Sequence, residues 1–309
     1  MKTPLIPHFV LHFLLFVLLF TFFSCRSLSP VDGRWERAAV AASPETVKPQ
    51  WELFAGDTAD GLAYFAGKVS RPRLEFNALR VDLSAAELRL LTAGGGSGGI
   101  LVDDRFLSTK VSSFVRDNGL LAGINALPFD PVSGREGEPR ANIGIVVSGG
   151  VMVSPPHSRF DALVFYADGS AAIIPQSEIE SAENIDNAVG GFHRILEAGE
   201  PAPRVFPLTE RHPRSAAGIS PDGKFLYLLV IDGRRPGSIG STEAETALLL
   251  RSLGAVEGIN FDGGGSSALV LRYPDGKIRA ANTPIHRQIP GKERAVAGCL
   301  GIGENVKIK

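Results

Sequence analysis

Short apolar runs separated by turn-forming residues most limit how this chain can fold. Clear examples are LRVDLS at 79–84, IGIVVSGGVMV at 143–153, ALVFYADGSAAIIP at 162–175 and SALVLRYPDGKIRAAN at 267–282. Each has the length of one β-strand or of two strands joined by a tight turn, and the Asp-Gly pairs at 168–169 and 275–276 are typical of hairpins. The 35 glycines and 21 prolines favour many turns over a helical bundle.

Two segments have a helical pattern instead. Ser108–Asn118 precedes a glycine, and the segment at 242–254 opens with a Thr-x-x-Glu capping box and ends at Gly254. Strands therefore outnumber helices. The sequence predicts an α+β fold with a mixed, mostly antiparallel β-sheet and a few packed helices, in a single domain at 51–309.

The N-terminus predicts export. Lys2 precedes an apolar run from Phe13 to Phe23, which has the length of the apolar core of a signal peptide. A transmembrane anchor is the competing interpretation, but polar residues and a proline interrupt the run before it reaches about 20 apolar residues. Because Ser24-Cys25 resembles a bacterial lipoprotein processing site, we predict a lipoprotein-type signal peptide at 1–25, with a lipid on Cys25.

The predicted location is the bacterial cell envelope, with the membrane reached through that lipid anchor. Residues 26–50 are rich in Ser, Ala, Pro and charge, which is typical of a flexible linker. The 32 basic and 33 acidic residues nearly cancel, so no nucleic-acid partner is expected. The remaining cysteine, Cys299, has no motif around it and is interpreted as a core residue.

The stretch NFDGGGSSALV at 260–270 holds more glycine than a hairpin needs. Six small or polar residues follow one another from Asp262 to Ser267. Glycine makes folding entropically more costly, so a run of three suggests that another group comes close to the main chain. A turn and a functional site both remain open from this stretch alone.

Polar residues in apolar surroundings occur in three further segments, around Asn125, around 211–214 and from Asp232 to Glu245. Such an arrangement suits charges that act in a partly dry pocket. Each residue alone also has a structural interpretation: the arginines as solvated loop charges, the Asp-Gly pair at 232–233 as a turn, and Glu245 as a helix cap.

Taken in chain order, these segments resemble the phosphodiester glycosidase family. The resemblance rests on GINALPF, RHPRSAAG, IDGRRPGSIGSTEAETALLLRSLGA, NFDGGGSSALV and ERAVAGCLGI, and spans residues 75–305. The family includes an animal enzyme that removes N-acetylglucosamine from a phosphodiester to uncover mannose 6-phosphate. One segment departs from the family pattern, because NALPFD stands where Asn-Gly-Gly-Phe-Phe is usual.

The resemblance implies cleavage of a sugar-1-phosphodiester, or a phosphorylated glycan that contains one, at the anomeric C–O bond. It assigns Asp262 as the carboxylate at the sugar, Glu245 as a second acid or base, and Asp232 as a further catalytic position. The guanidinium group of Arg214 would hold the phosphate, because an arginine fork matches phosphate geometry. The other implied binding residues are Asn125, Arg234, Thr242, Asn260, Gly263, Gly264, Gly265, Ser266 and Arg294, with Arg234 or Arg294 as the alternative phosphate ligand.

No cofactor is expected, although a divalent metal stays open. Two alternatives to the glycosidase also stay open. One is a non-catalytic lipoprotein that binds an envelope glycan, which the altered NALPFD segment would allow. The other is a metal-dependent phosphodiesterase that cuts P–O with Asp232, Glu245 and Asp262 as oxygen ligands.

Overall fold

The fold is given by a computed structural model that describes residues 61–85, 88–92, 101–102, 105–132, 135–206 and 208–305. The predicted signal peptide at 1–25, with Cys25, and the predicted linker at 26–50 lie outside these residues. In the part of the chain that is described, no helix is long and apolar enough to cross a membrane.

The described residues form 21 β-strands. In chain order they are β1 (Leu62–Ser70), β2 (Arg73–Asp82), β3 (Leu88–Thr92), β4 (Leu101–Val102), β5 (Arg105–Leu107), β6 (Ala122–Asn125), β7 (Phe129–Asp130), β8 (Pro139–Asn142), β9 (Val146–Ser148), β10 (Val151–Ser154), β11 (Asp161–Tyr166), β12 (Ala171–Pro175), β13 (Ile185–Gly190), β14 (His193–Glu197), β15 (Glu200–Pro201), β16 (Arg214–Ile219), β17 (Phe225–Ile231), β18 (Glu257–Asn260), β19 (Leu269–Arg272), β20 (Ile278–Ala280) and β21 (Cys299–Glu304).

The strands form four sheets. The largest has seven strands in the order β1-β2-β17-β16-β18-β14-β15. Two five-stranded sheets have the orders β10-β9-β13-β11-β12 and β20-β19-β6-β21-β3, and a four-stranded sheet has the order β4-β5-β8-β7. The hairpins predicted at the two Asp-Gly turns are confirmed as β11-β12 and β19-β20.

The prediction of mostly antiparallel strands is confirmed, and the prediction of a mixed sheet is corrected. All paired strands among the described residues are antiparallel, and their one parallel pairing is an isolated bridge between Ile285 and Lys292. Antiparallel neighbours can be joined by short turns, whereas parallel neighbours need crossover segments that are usually helical. The α+β class with packed helices therefore overstates the helical content.

The described residues contain two α-helices, α1 (Val111–Asp117) and α2 (Glu243–Leu253). Helix α2 begins and ends where the sequence predicts. Its capping box forms between Thr242 and Glu245, and Gly254 ends it in the left-handed conformation with φ +112°.

The seven-stranded sheet is buried on both faces. In β17, Leu226, Leu228 and Val230 face one core, and Tyr227, Leu229 and Ile231 face the other, as the two-residue period of a strand requires. The first core lies against the two five-stranded sheets, and α2 covers the second. The first core joins residues from Leu62 to Ile302, which is consistent with a single domain. Cys299 is buried beside α1, as expected of a core residue.

Candidate active site

The predicted site residues gather at one end of the seven-stranded sheet. Asp232 directly follows β17, and Asn260 ends β18. Arg214 begins β16, which runs antiparallel to both strands, so it lies at the same end. Thr242 precedes α2, and Asn125 ends β6 in the neighbouring five-stranded sheet. The site therefore forms where two sheets and the N-terminus of a helix meet.

The glycine-rich loop crosses from one sheet to the other, because it leaves β18 and enters β19. Asn125, which is fully buried, holds the loop in place. Its Nδ2 donates to the main-chain oxygen of Asp262 at 2.6 Å, and its Oδ1 accepts from Ser215 Oγ at 2.7 Å and from the main-chain N–H of Ala268 at 3.1 Å. Asn125 thus orders the loop, and its predicted role in binding substrate stays a prediction.

The three glycines allow close approach, but the approaching groups belong to the protein. A Cβ on Gly263 would lie 2.7 Å from the Pro213 carbonyl oxygen, and one on Gly265 would lie 2.7 Å from Arg294 Nη2. Gly264 adopts φ +63°, and a Cβ there would lie 3.1 Å from Arg234 Nη2. Two guanidinium groups can therefore lie directly against the loop because it carries no side chains.

Asp262 is partly exposed as a residue, but its Oδ2 is inaccessible to solvent and accepts no hydrogen bond from the described residues. Burial raises the pKa of this carboxyl to about 6, against the opposing effects of a hydrogen bond from Ser266 and the charge of Arg294. A carboxyl with one oxygen unused and a pKa near neutrality is suited to acid-base chemistry.

Arg294 and Arg234 supply positive charge beside Asp262. Arg294 donates from Nη1 to Ser266 Oγ at 3.1 Å and from Nε to His286 Nδ1 at 3.2 Å, which leaves Nη2 over Gly265. Arg234 is exposed, has φ +59°, and makes no hydrogen bond or ion pair with the described residues. Both side chains therefore keep donors for an anion.

Arg214, the first choice for holding phosphate, lies in the site but uses its donors within the protein. Its Nε donates to the Ser241 carbonyl at 3.1 Å, its Nη2 to the Glu210 carbonyl at 3.2 Å, and its Nη1 to Glu243 Oε1 at 3.2 Å. Burial lowers its pKa, and Glu243 opposes that shift. Its phosphate-binding role stays a prediction.

Glu243 and His193 were missed by the sequence analysis. Glu243 is 6% exposed at the first position of α2, and its Oε2 lies 2.5 Å from His193 Nε2. Burial raises the pKa of Glu243. The hydrogen bond to His193 and the charges of His193 and Arg214 together lower it by more than burial raises it, so the net shift is downward. Asn260 donates to Glu243 at 3.5 Å, and its buried Oδ1 accepts nothing from the described residues.

Glu245 and Thr242 form the capping box that the sequence allowed as the structural interpretation. Thr242 Oγ1 accepts from the Glu245 N–H at 3.2 Å, and Glu245 Oε2 accepts from the Thr242 N–H at 2.9 Å. Arg211 makes a bidentate ion pair with the same carboxylate, with one contact at 2.6 Å. Both carboxylate oxygens are thus engaged, and the acid-base role of Glu245 stays a prediction.

Asp232 is 2% exposed and accepts hydrogen bonds on both oxygens. Its Oδ1 accepts from Asn282 Nδ2 at 3.1 Å and from the Thr283 N–H at 3.0 Å, and its Oδ2 accepts from Arg235 at 2.6 Å. These contacts anchor the turn that carries Arg234. Its catalytic role also stays a prediction.

The three carboxylates proposed as metal ligands do not form a cluster. Within the described ranges, no group of three or more His, Cys, Asp or Glu residues is arranged to hold a metal ion.

The family model for phosphodiester glycosidases matches residues 118–303. The chain belongs to the phosphodiester glycosidase family. A curated relative, the SPbeta prophage-derived uncharacterized protein YomE of Bacillus subtilis, is 27% identical over 172 residues. That match covers 52% of this chain, which spans only 25% of the relative's length.

Solved structures show the same fold. The zebrafish N-acetylglucosamine-1-phosphodiester alpha-N-acetylglucosaminidase catalytic domain, auto-inhibited by its pro-peptide, matches with a TM-score of 0.59 and 21% identity, over 79% of this chain and 83% of that one. A hypothetical protein from Synechocystis matches with a TM-score of 0.53 and 14% identity, over 79% of this chain and 62% of the other.

Proposed function

We propose that this chain hydrolyses the anomeric C–O bond of a sugar-1-phosphodiester. The observation that carries the proposal is Asp262, whose buried Oδ2 is unused and whose pKa is about 6, beside two guanidinium groups with spare donors. Family membership and the activity in the zebrafish enzyme's name support the same reaction class.

Arg294 and Arg234 are the phosphate ligands in this proposal. They were the alternatives to Arg214, and they are preferred because Arg214 already donates to two carbonyls and to Glu243. A phosphomonoester leaves readily, since its second pKa is about 6. Guanidinium groups that offset its growing negative charge therefore contribute more than a strong general acid would.

Asp262 acts on the sugar side. Water attacks the anomeric carbon and gives a proton to the partly exposed Asp262 carboxylate, while the electrons of the breaking C–O bond pass to the phosphate oxygen. Asp262 then returns the proton to solvent. Because this base must be ionised and its pKa in the free protein is about 6, kcat/KM should rise as the pH increases through that value.

Hydrolysis in ¹⁸O-labelled water tests the proposal. We expect the purified full chain to release free sugar labelled at the anomeric carbon from at least one member of a sugar-1-phosphodiester panel that includes N-acetylglucosamine. Asp262→Asn should lower the rate at least 100-fold, since positioned acid-base groups contribute about 10²–10⁴. Asp186→Asn, at an exposed carboxyl, is the matched control.

Label in the phosphate instead would overturn the proposal in favour of P–O cleavage. Glycan binding without turnover across the panel would overturn it in favour of a binding protein.

We further propose that the substrate belongs to the cell envelope and that a lipid on Cys25 holds the chain there. The apolar run ending at Ser24-Cys25 supports this location. Metabolic labelling with radioactive palmitate in a bacterial host should mark the full chain and Cys299→Ser, but not Cys25→Ser. Equal labelling of Cys25→Ser would contradict the anchor.

A further inference from the structure

A cavity of about 480 Å³ lies beside the candidate site. His286 lines it and also accepts a hydrogen bond from Arg294 Nε at 3.2 Å. Arg294 in turn reaches Ser266, and its charge acts on Asp262. The order across the site is therefore Asp262, Arg294, His286 and then the cavity.

Positive charge in the cavity exceeds what its own carboxylates neutralise. Four of the lining residues are cations and three are carboxylates, and each carboxylate already has a partner. Glu136 pairs with Lys110 at 3.1 Å, Glu138 with Arg140 at 3.1 Å, and Glu293 accepts from the Ser112 N–H at 3.1 Å. The remaining lining cations, Arg135, Arg287 and Lys292, form no ion pair with the described residues.

His286 reports the same positive field. Burial is the main cause that lowers its pKa, and the charges of Arg294, Arg287 and Lys292 lower it further. Arg287 and Gln288 also adopt the left-handed conformation in succession, with φ +55° and +61°. Such backbone costs energy in residues other than glycine and tends to occur at ligand sites.

We propose that this cavity binds a second phosphate, carried by the aglycone of the phosphodiester. The proposal rests on the proposed function, which puts the sugar at Asp262 and the scissile phosphate at Arg294. The aglycone then extends past His286, where Arg287 and Lys292 can bind a further anion. The preferred substrate is thus a sugar-1-phosphodiester whose aglycone carries a second phosphate in addition to the one that is cleaved from the sugar.

Calorimetry with two small probes tests the subsite. Methyl phosphate offers one anion, and propane-1,3-diyl bisphosphate offers two. We expect the full chain to bind the bisphosphate about tenfold more tightly at 0.15 M salt. Direct contacts between a guanidinium or ammonium group and phosphate are much shorter than the Debye length of about 8 Å at this salt concentration, so they are only partly screened. The Arg287→Gln/Lys292→Gln double variant should lose that preference and keep its affinity for methyl phosphate within about twofold.

The matched control is Arg159→Gln/Lys224→Gln, which removes one exposed arginine and one exposed lysine elsewhere and should keep the preference. Equal affinity for the two probes, no binding of either, or a preference that survives in the Arg287/Lys292 variant would overturn the subsite. The ¹⁸O assay separates the two proposals. Cleavage without a bisphosphate preference overturns the subsite alone, whereas a preference without any cleavage overturns the proposed reaction.

Discussion

Burial of Asp262 makes its charged form costly, and the proposed reaction needs that charged form. The folded pKa of about 6 lies above the ordinary value of 3.8. The folded state therefore binds the proton of the Asp262 carboxyl more tightly than the unfolded state does. The protein is accordingly more stable when this carboxyl is protonated, and that part of the free energy of unfolding is lost as the pH rises through about 6. Ser266 and Arg294 offset only part of the cost.

Asp262→Asn should therefore stabilise the fold at neutral pH while it removes activity. The variant's free energy of unfolding should exceed that of the parent by about 2–3 kcal/mol more at pH 7.5 than at pH 4. At pH 4 the Asp262 carboxyl of the parent is protonated in the folded state and partly protonated in the unfolded state, so burying it costs the parent little. Urea unfolding at the two pH values measures it. Asp186→Asn should change little at either pH, and a stability difference for Asp262→Asn that does not depend on pH would contradict the burial argument.

At the scale of elements, the N-terminus of α2 was predictable because its signals are local. Thr242 and Glu245 are three residues apart, and the helix begins and ends where they and Gly254 predict. The same helix turn also carries Glu243, whose partners His193 and Arg214 come from distant strands. No spacing along the chain reveals such a cluster, because β-sheet register brings it together.

Strand pairing was likewise predictable only between strands that are neighbours along the chain. Hairpins such as β11-β12 were predictable from Asp-Gly turns, whereas β2 pairs with β17, whose residues lie far along the chain. The family resemblance did indicate which segments meet, and they do meet at one end of the sheet. It did not indicate that Arg214 would use its donors internally.

Glu245→Gln separates the cap from the acid-base role. Glutamine can still accept from the Thr242 N–H, so we expect a stability loss of about 1–3 kcal/mol from the weakened pair between Arg211 and the buried Glu245 side chain, with turnover within about threefold of the parent. Glu245→Ala, which removes the cap contact, should lose more stability. If Glu245→Gln instead slowed turnover by about 100-fold or more at unchanged stability, the acid-base role would be established.

At the scale of the whole molecule, the site depends on two sheets keeping their relative position. Asn125 at the end of β6 bonds to Ser215 in β16 and to the loop between β18 and β19. Asp262 therefore takes its position from the five-stranded sheet and from the seven-stranded sheet at once. The departure in NALPFD begins just after Asn125 and leaves these contacts in place.

Asn125→Ala should accordingly weaken fold and function together. It leaves the Asp262 carbonyl, the Ser215 hydroxyl and the Ala268 N–H without this partner in a buried region, and each such group costs about 1–3 kcal/mol. We expect the free energy of unfolding in urea to fall by at least about 3 kcal/mol, and kcat to fall at temperatures where the variant remains folded, because the Asp262 carboxylate is no longer held in place. Asn187→Ala, whose side chain accepts one 3.5 Å hydrogen bond from the Gly149 N–H and makes no other with the residues that the structure describes, should lose less than about 1 kcal/mol. If Asn125→Ala matched that control in stability and kept the parent kcat, the two-sheet anchoring of Asp262 would be refuted.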